Sequence, residues 1–350
     1  MKACLMIAPG NVKVEEIEMP SIGSNQVLIE VKAAGICTND IRDYLGDCDY
    51  SYPRIGGHEY VGVIHSMGSR VNTSRFHVGQ KVVNYIIDDC KECYFCKTGN
   101  ENICEDFPHS KVFHNEDGIS GYCGFAQYVA ADAKDLVGYE KQDSWERMAL
   151  TEPLACVVNS VNRANIEFGQ DVLVVGGGTM GLLHVMLAVS RGARVFLSEP
   201  MADRRNKALE LGASDAFDPT SVNPIQTIKD LTGGRGADVV FDTVALPEIA
   251  GQAIEMTAPC GTCILFSSIH PNESIPVAIN AVHAQQKTIT GAESPTVHSF
   301  YQAVQLIDKK IIDPLPLVEK VFDYTDFQAA IDEAMRPDTY KVIVKFGMWE

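Results

Sequence analysis

Four cysteines fall within fifteen residues of this 350-residue chain: Cys90, Cys93, Cys96 and Cys104, in CKECYFCKTGNENIC. Two residues between successive ligands let one short segment wrap an ion, and four thiolates form the closed tetrahedral set of a structural zinc site. Cysteines at every third position cannot readily bridge one another, because neighbouring Cα geometry is wrong for a disulfide. A second constellation lies upstream, with Cys37 in GICTND and His58 and Glu59 in GGHEYVG. Glu152, in LTEPLAC, adds a carboxylate to a mostly apolar run. Three protein ligands with one open position make a catalytic zinc site. Alone, Cys37 would pass for a small core residue and His58 for a hydrogen-bonded one. Their occurrence beside the cysteine lobe and the motif below favours a metal.

That motif is DVLVVGGGTMGLLHVMLAVSRGARVFLSE, residues 171–199. Val172 to Val175 form an apolar run without alternation, which predicts a buried parallel strand. Gly176, Gly178 and Gly181 then give G-x-G-x-x-G as an apolar helix begins, with Thr179 and Met180 between them. Such a loop lets backbone approach a pyrophosphate at a helix N-terminus, where unpaired N–H groups and the helix dipole favour anions. A second strand from Arg194 to Leu197 leads to Glu199. Its carboxylate can accept from both ribose hydroxyls and would repel a 2′-phosphate, so NAD is favoured over NADP. Arg204 and Arg205 keep a phosphate contact open; otherwise they lie on a solvated helix face.

With these segments, and with LGA (Leu211–Ala213) and GGRGADVVFD (Gly233–Asp242), the chain resembles the zinc-dependent medium-chain dehydrogenases over nearly its full length. These are the superfamily of alcohol, sorbitol and threonine dehydrogenases. The resemblance implies an α/β protein, with a Rossmann doubly wound parallel sheet domain and a GroES-like β-rich catalytic domain. It implies two zinc ions per chain, NAD as cofactor, and a dimer or tetramer. It also implies a catalytic zinc at Cys37 and His58, with Glu59 or Glu152 as the exchangeable acidic ligand, as in the polyol and threonine branches. The expected reaction is hydride transfer from a secondary alcohol, a polyol, sugar or sugar acid, with Cys37, Thr38, His58 and Glu59 at the chemistry. Gly176, Gly178, Thr179, Met180, Gly181, Glu199 and Arg204 would hold the dinucleotide.

Three positions depart from the family pattern. The second residue after the zinc cysteine is Asn39 where Ser or Thr relays a proton, so Thr38 is the better relay candidate. The fifth is Arg42 where the family often has histidine, and guanidinium cannot shuttle protons at neutral pH. Arg42 is expected to pair with Asp40 or Asp43, or to touch cofactor phosphate; the sharper expectation is an acidic group on the substrate. Finally, YCGFAQY (Tyr122–Tyr128) replaces DGGFAEY. Two other readings stay in view. One is a zinc-stabilised binding protein without chemistry. The other is a zinc-independent quinone or enoyl reductase, which Cys37, His58 and Glu152 together disfavour.

The elements that must position these residues follow from periodicity. Short β runs such as QVLIEVKAAG predict a β-rich, antiparallel, barrel-like domain over 1–154. Strands alternate with helical stretches over 155–290, the pattern of a doubly wound sheet. Residues 291–350 are expected to return to the first domain. Specificity is expected around Tyr44, Phe107 to Ile119 and Glu293 to Val297. A net charge of −17 argues against nucleic acid and anionic membranes as partners, since both reward basic surfaces. No apolar run approaches the ~18 residues of a membrane span. Eleven cysteines, with the motif thiolates needing to stay reduced, point to the cytoplasm. Cys4, Cys48, Cys123, Cys156, Cys260 and Cys263 read as packing residues.

Overall fold

The computed structural model describes every residue except Asp49, 108–117, Tyr122, Asp143 and 348–350. The chain divides into two compact units, Met1–Ala155 with Thr296–Glu350, and Cys156–Pro295. The second boundary falls beyond the expected 290 because the last strand of the parallel sheet ends at Gly291. Asn159, in the same unit, then donates to the carbonyls of Glu293 and Ser294 at 3.1 and 2.8 Å.

The first unit begins with a hairpin, β1 (Lys2–Ala8) and β2 (Asn11–Glu16). It continues through β3 (Gln26–Gly35), α1 (Thr38–Leu45), β4 (Glu59–Met67), β5 (Lys81–Asn84) and the short α2 (Tyr94–Lys97). β6 (Tyr128–Asp132), β7 (Leu136–Gly138) and α3 (Trp145–Ala149) follow, and α4 (Thr151–Ala164) begins in this unit and continues past the boundary at Ala155. β3 is the spine. Its alternate residues Val27, Ile29 and Val31 are buried in one core with Phe125, Phe327 and Val344, which is why ten residues of strand stay ordered here.

The second unit is a run of strand–helix repeats: β8 (Asp171–Val175), α5 (Thr179–Ser190), β9 (Arg194–Ser198), α6 (Ala202–Glu210), β10 (Asp215–Phe217), α7 (Pro224–Leu231), β11 (Ala237–Asp242), α8 (Pro247–Met256), β12 (Thr257–Leu265), α9 (Ile279–Ala284) and β13 (Thr288–Gly291). All six strands are parallel in the order β10-β9-β8-β11-β12-β13, so the order reverses beside β8. Every residue of β8 is buried, as an unalternating apolar strand covered on both faces requires.

The return segment carries α10 (Val297–Asp308), β14 (Val318–Asp323), α11 (Phe327–Ala334) and β15 (Lys341–Lys345). β15 pairs antiparallel with β3 and parallel with β14, completing the sheet β14-β15-β3-β4-β5-β7, with β6 on the other end of β3. Among the described residues no helix is long and apolar enough to cross a membrane.

Candidate active site

Two groups of side chains in the first unit could hold a metal ion: Cys90, Cys93, Cys96 and Cys104, and Cys37, His58 and Glu59. Within each group the ligand atoms lie within 4.8 Å of one another. The cysteines carry no disulfide. Their Sγ atoms approach to 3.9 Å for Cys90–Cys96 and for Cys93–Cys104. A tetrahedron of zinc–sulfur bonds near 2.3 Å puts its sulfurs about 3.8 Å apart, so the spacing fits. Backbone N–H groups already point at sulfur: Cys93 N at Cys90 Sγ, Cys96 N at Cys93 Sγ and Cys90 N at Cys104 Sγ, at 3.2, 3.5 and 3.3 Å. The Cys96 and Glu105 N–H groups draw the Cys93 thiol down to about 7. Burial and then the neighbouring Cys93 and Cys104 push Cys96 up to about 12. Four adjacent thiolates repel unless a cation lies among them.

The other group is assembled across elements. Cys37 caps the N-terminus of α1, directly after β3. Glu59 opens β4, opposite Gly35 of β3, and His58 precedes it. Burial alone would push the His58 imidazole down; Cys37, then Asp40 and Glu152, outweigh it and hold His58 well above its ordinary range. That surplus of negative charge is what a dication would neutralise. Glu152, in the first turn of α4, is near enough to act on His58 and is not part of the close group.

Two further residues complete the site: Asp40, expected only as a partner of Arg42, and Lys341, which carried no expectation. Asp40, only 2% exposed, accepts from the N–H of Cys37 and of Gly57, both at 2.9 Å, and so ties the two ligand-bearing loops together. An acid three residues after a helix cap was the available signal. Burial pushes its carboxyl above the usual range, against the pull of His58 and both N–H groups. Lys341, the first residue of β15, reaches Glu59 with its ammonium 2.7 and 2.8 Å from the two carboxylate oxygens. Burial lowers the Lys341 pKa, but Glu59 and then Cys37 carry it above the ordinary value. Nothing in the sequence marks this lysine as buried.

Several expectations need correction. Arg42 pairs with neither Asp40 nor Asp43: Asp40 is engaged as above, and Asp43 is held by Arg54 at 3.1 Å. Arg42 makes no ion pair or side-chain hydrogen bond among the described residues. Tyr44 is turned into the core, donating to the Gly10 carbonyl at 3.2 Å and accepting from Gln328 at 3.1 Å, so it is not a free specificity residue. Cys260 is exposed, within β12 at φ +62°, so it does not pack as expected; Cys4 and Cys263 are buried. Thr38 and Asn39 are exposed at the start of α1. Of the expected specificity segment, 108–117 lie outside the described residues, as does Tyr122 of YCGFAQY.

In the second unit, Gly176 follows β8 at φ +96°, and a Cβ on Gly181 would lie 1.9 Å from the Gly176 carbonyl, so both positions require glycine. Gly178 caps α5 without a side-chain bond, leaving the N–H groups of Thr179, Met180 and Gly181 at the helix start. Glu199 directly follows β9. Its carboxylate accepts from Gly177 N at 2.7 Å and Met201 N at 2.8 Å. Arg204 lies against the same loop, its Nη1 within 3.8 Å of a Cβ placed on Gly178. Arg205 is committed elsewhere, donating to the carbonyls of Glu199 and Pro200 at 2.8 and 2.7 Å.

Residues 23–141 match the alcohol dehydrogenase GroES-like domain, and residues 179–309 match the zinc-binding dehydrogenase domain. The chain is 30% identical over 363 residues to scyllo-inosose 3-dehydrogenase of Thermotoga maritima, covering 96% of this chain and 89% of that protein. It is 31% identical to 2-dehydro-3-deoxy-L-galactonate 5-dehydrogenase of Pseudoalteromonas atlantica, covering 88% and 87%. A zinc-binding dehydrogenase of Sinorhizobium meliloti 1021, solved bound to NADP, superposes with a TM-score of 0.91 at 25% identity over 99% of both chains.

Proposed function

Because this chain belongs to the zinc-dependent medium-chain dehydrogenases, we propose that it oxidises a secondary alcohol of a polyol, sugar or sugar acid and uses NAD ahead of NADP. The observation that carries this is the convergence of Cys37, His58 and Glu59 on one point, with Glu152 near by. A zinc ion there supplies Lewis acidity toward an alcohol oxygen, and a dinucleotide supplies the hydride acceptor. Cys37 and His58 would hold that ion, with Glu59 or Glu152 as the exchangeable acid, while the four-cysteine lobe would hold a second, structural one. Asp40 fixes Cys37 relative to the Gly57–His58 turn. The Thr38 hydroxyl, one residue past Cys37, can take the substrate proton toward solvent; the Asn39 amide cannot act as a base. In the second unit the N–H groups of the glycine loop bind pyrophosphate, and Glu199 receives the ribose hydroxyls.

Arg42 supports the acidic end of the substrate class. It follows Thr38 by four residues, on the same face of α1 and about 6 Å farther along its axis. Its fork of donors matches a carboxylate, and no acid of the protein occupies it among the described residues. All the cysteines of the chain are unbridged, which suits a reducing cytoplasm.

The test is NAD⁺ and NADP⁺ reduction across polyols, aldonates and simple alcohols, with zinc measured on the same sample. Turnover of a polyol or aldonate with two zinc ions per chain is expected. Zinc at the cysteine lobe alone, with no turnover, would mean a zinc-stabilised binding protein.

A further inference from the structure

The helix that opens at the glycine loop, α5, carries a histidine in its second turn. His184 is fully buried, with its ring centroid 4.6 Å from that of Phe241 and 4.8 Å from that of Phe266, the latter edge-on. Its Nδ1 lies 2.8 Å from the Met180 carbonyl, and its Nε2 lies 2.9 Å from the hydroxyl of Ser160 on α4, also fully buried. A carbonyl can only accept, so Nδ1 carries the proton. Burial draws the imidazole down to about 4, against the lift of the Met180 bond, so the ring is neutral and Nε2 accepts from Ser160. One tautomer is fixed from both ends.

The Met180 carbonyl belongs to the same peptide group as the Gly181 N–H, one of the three left open at the start of α5. In a helix that carbonyl already faces the backbone N–H of the fourth residue on, and the imidazole adds a second donor to it. Drawing electron density toward a carbonyl oxygen makes the N–H across the same peptide a stronger donor, as chained hydrogen bonds polarise one another. The other side of that peptide is held as well, since Gly181 sits so close on the Gly176 carbonyl that a Cβ would lie at 1.9 Å. We propose that His184 is a positioning residue for the dinucleotide: through Met180 it fixes and polarises the peptide whose Gly181 N–H is offered to the pyrophosphate. This rests on the dinucleotide binding proposed above for the glycine loop. A histidine that only filled the core beside Phe241 and Phe266 would be replaceable by another ring of its size.

The experiment follows NADH binding by fluorescence on the full-length, zinc-loaded protein, with ADP and adenosine as competitors; of these two only ADP brings linked phosphates to the loop. His184→Phe keeps a ring in the core and should weaken NADH and ADP about threefold, the share a second donor adds to a hydrogen bond to a charged group. Adenosine should compete as well as it does against the wild type. His184→Asn, whose amide N–H stands where Nδ1–H stood, should restore the affinity for ADP. His184→Gln, whose amide reaches to the place of Nε2, should not. ¹⁵N spectra of the histidine-labelled wild type should show His184 with a protonated Nδ1 and a bare Nε2 across the neutral range, a result that needs no variant to fold. A proton on Nε2, an unchanged ADP affinity in His184→Phe, an equal loss of ADP and adenosine, or no difference between the Asn and Gln variants would overturn the proposal and leave a core residue. A wild type that binds neither NADH nor ADP would instead remove the dinucleotide site itself.

Discussion

The two metal-competent clusters of the first unit are built in opposite ways. The four cysteines come from fifteen consecutive residues, and backbone N–H groups of the same segment point at their sulfurs. The Cys37–His58–Glu59 group draws one residue from a helix cap, two from a strand entry, a clamp from Asp40 and a counter-charge from β15. A local, all-thiolate cage has no place for a substrate, and its contribution is to folding. A site assembled from distant elements with mixed donors can leave a position open, and it fails if any one element moves. Chemistry belongs to the second kind of construction, stability to the first.

The largest effect separates the two most directly. Cys37→Ser should lower kcat/KM on the order of a thousandfold or more, as loss of a Lewis acid worth about 4 kcal/mol implies. It should also remove one of two zinc ions in a metal assay while leaving the thermal unfolding profile nearly unchanged. One zinc ion per fully active wild-type chain would break the comparison. Cys93→Ser is the mirror experiment. It should cost more than about 4 kcal/mol in urea unfolding, the range expected for loss of a structural metal. If Cys93→Ser instead left stability intact and removed only turnover, the lobe would not be structural.

The same contrast governs what could be read before the structure. The cysteine lobe and the glycine loop are local, and their chemistry is written in their spacing. Cys37, His58 and Glu59 are legible as residue types in short motifs, but the contacts that complete their site depend on strand register. Lys341 reaches Glu59 only because β15 pairs with β3 across Gly35. Asp43 goes to Arg54 and not to Arg42 because Arg54 is brought in by its backbone pairing with Met6 of β1, both bonds at 2.9 Å. Tyr44 turns inward because Gly10 and Gln328 wait there for its hydroxyl. Each of these follows from pairing over tens to hundreds of residues, which periodicity does not encode.

A smaller effect is expected at Arg42, whose guanidinium meets no acid among the described residues. Arg42→Gln should lower kcat/KM on an aldonate by roughly ten- to a hundredfold, the span of a charged hydrogen bond, and change that on a neutral polyol of equal chain length less than about threefold. Arg42→Lys should recover only part of the loss, since a point charge cannot form the planar two-bond pair. Equal losses on both substrates would make Arg42 a structural or cofactor residue.

The smallest effect concerns the dinucleotide loop, which lies between the two constructions: its glycines are local, but its acid arrives from the next strand. Glu199 has each carboxylate oxygen on a backbone N–H, at 2.7 and 2.8 Å, so its negative charge is fixed beside the loop. A 2′-phosphate brought there meets that charge, whereas ribose hydroxyls can donate to the remaining lone pairs. The wild type should therefore favour NAD⁺, even though a relative of the same fold was solved with NADP. Glu199→Ser should narrow the preference by about tenfold, the equivalent of one pKa unit of electrostatic repulsion. Arg204, against the same loop, is then the cation a 2′-phosphate would meet, so Glu199→Ser with Arg204→Gln should lose the NADP⁺ gain of the single variant. The measurement is the ratio of kcat/KM for the two cofactors at saturating alcohol. A wild type that uses NADP⁺ better would mean that Glu199 serves the loop and not the ribose.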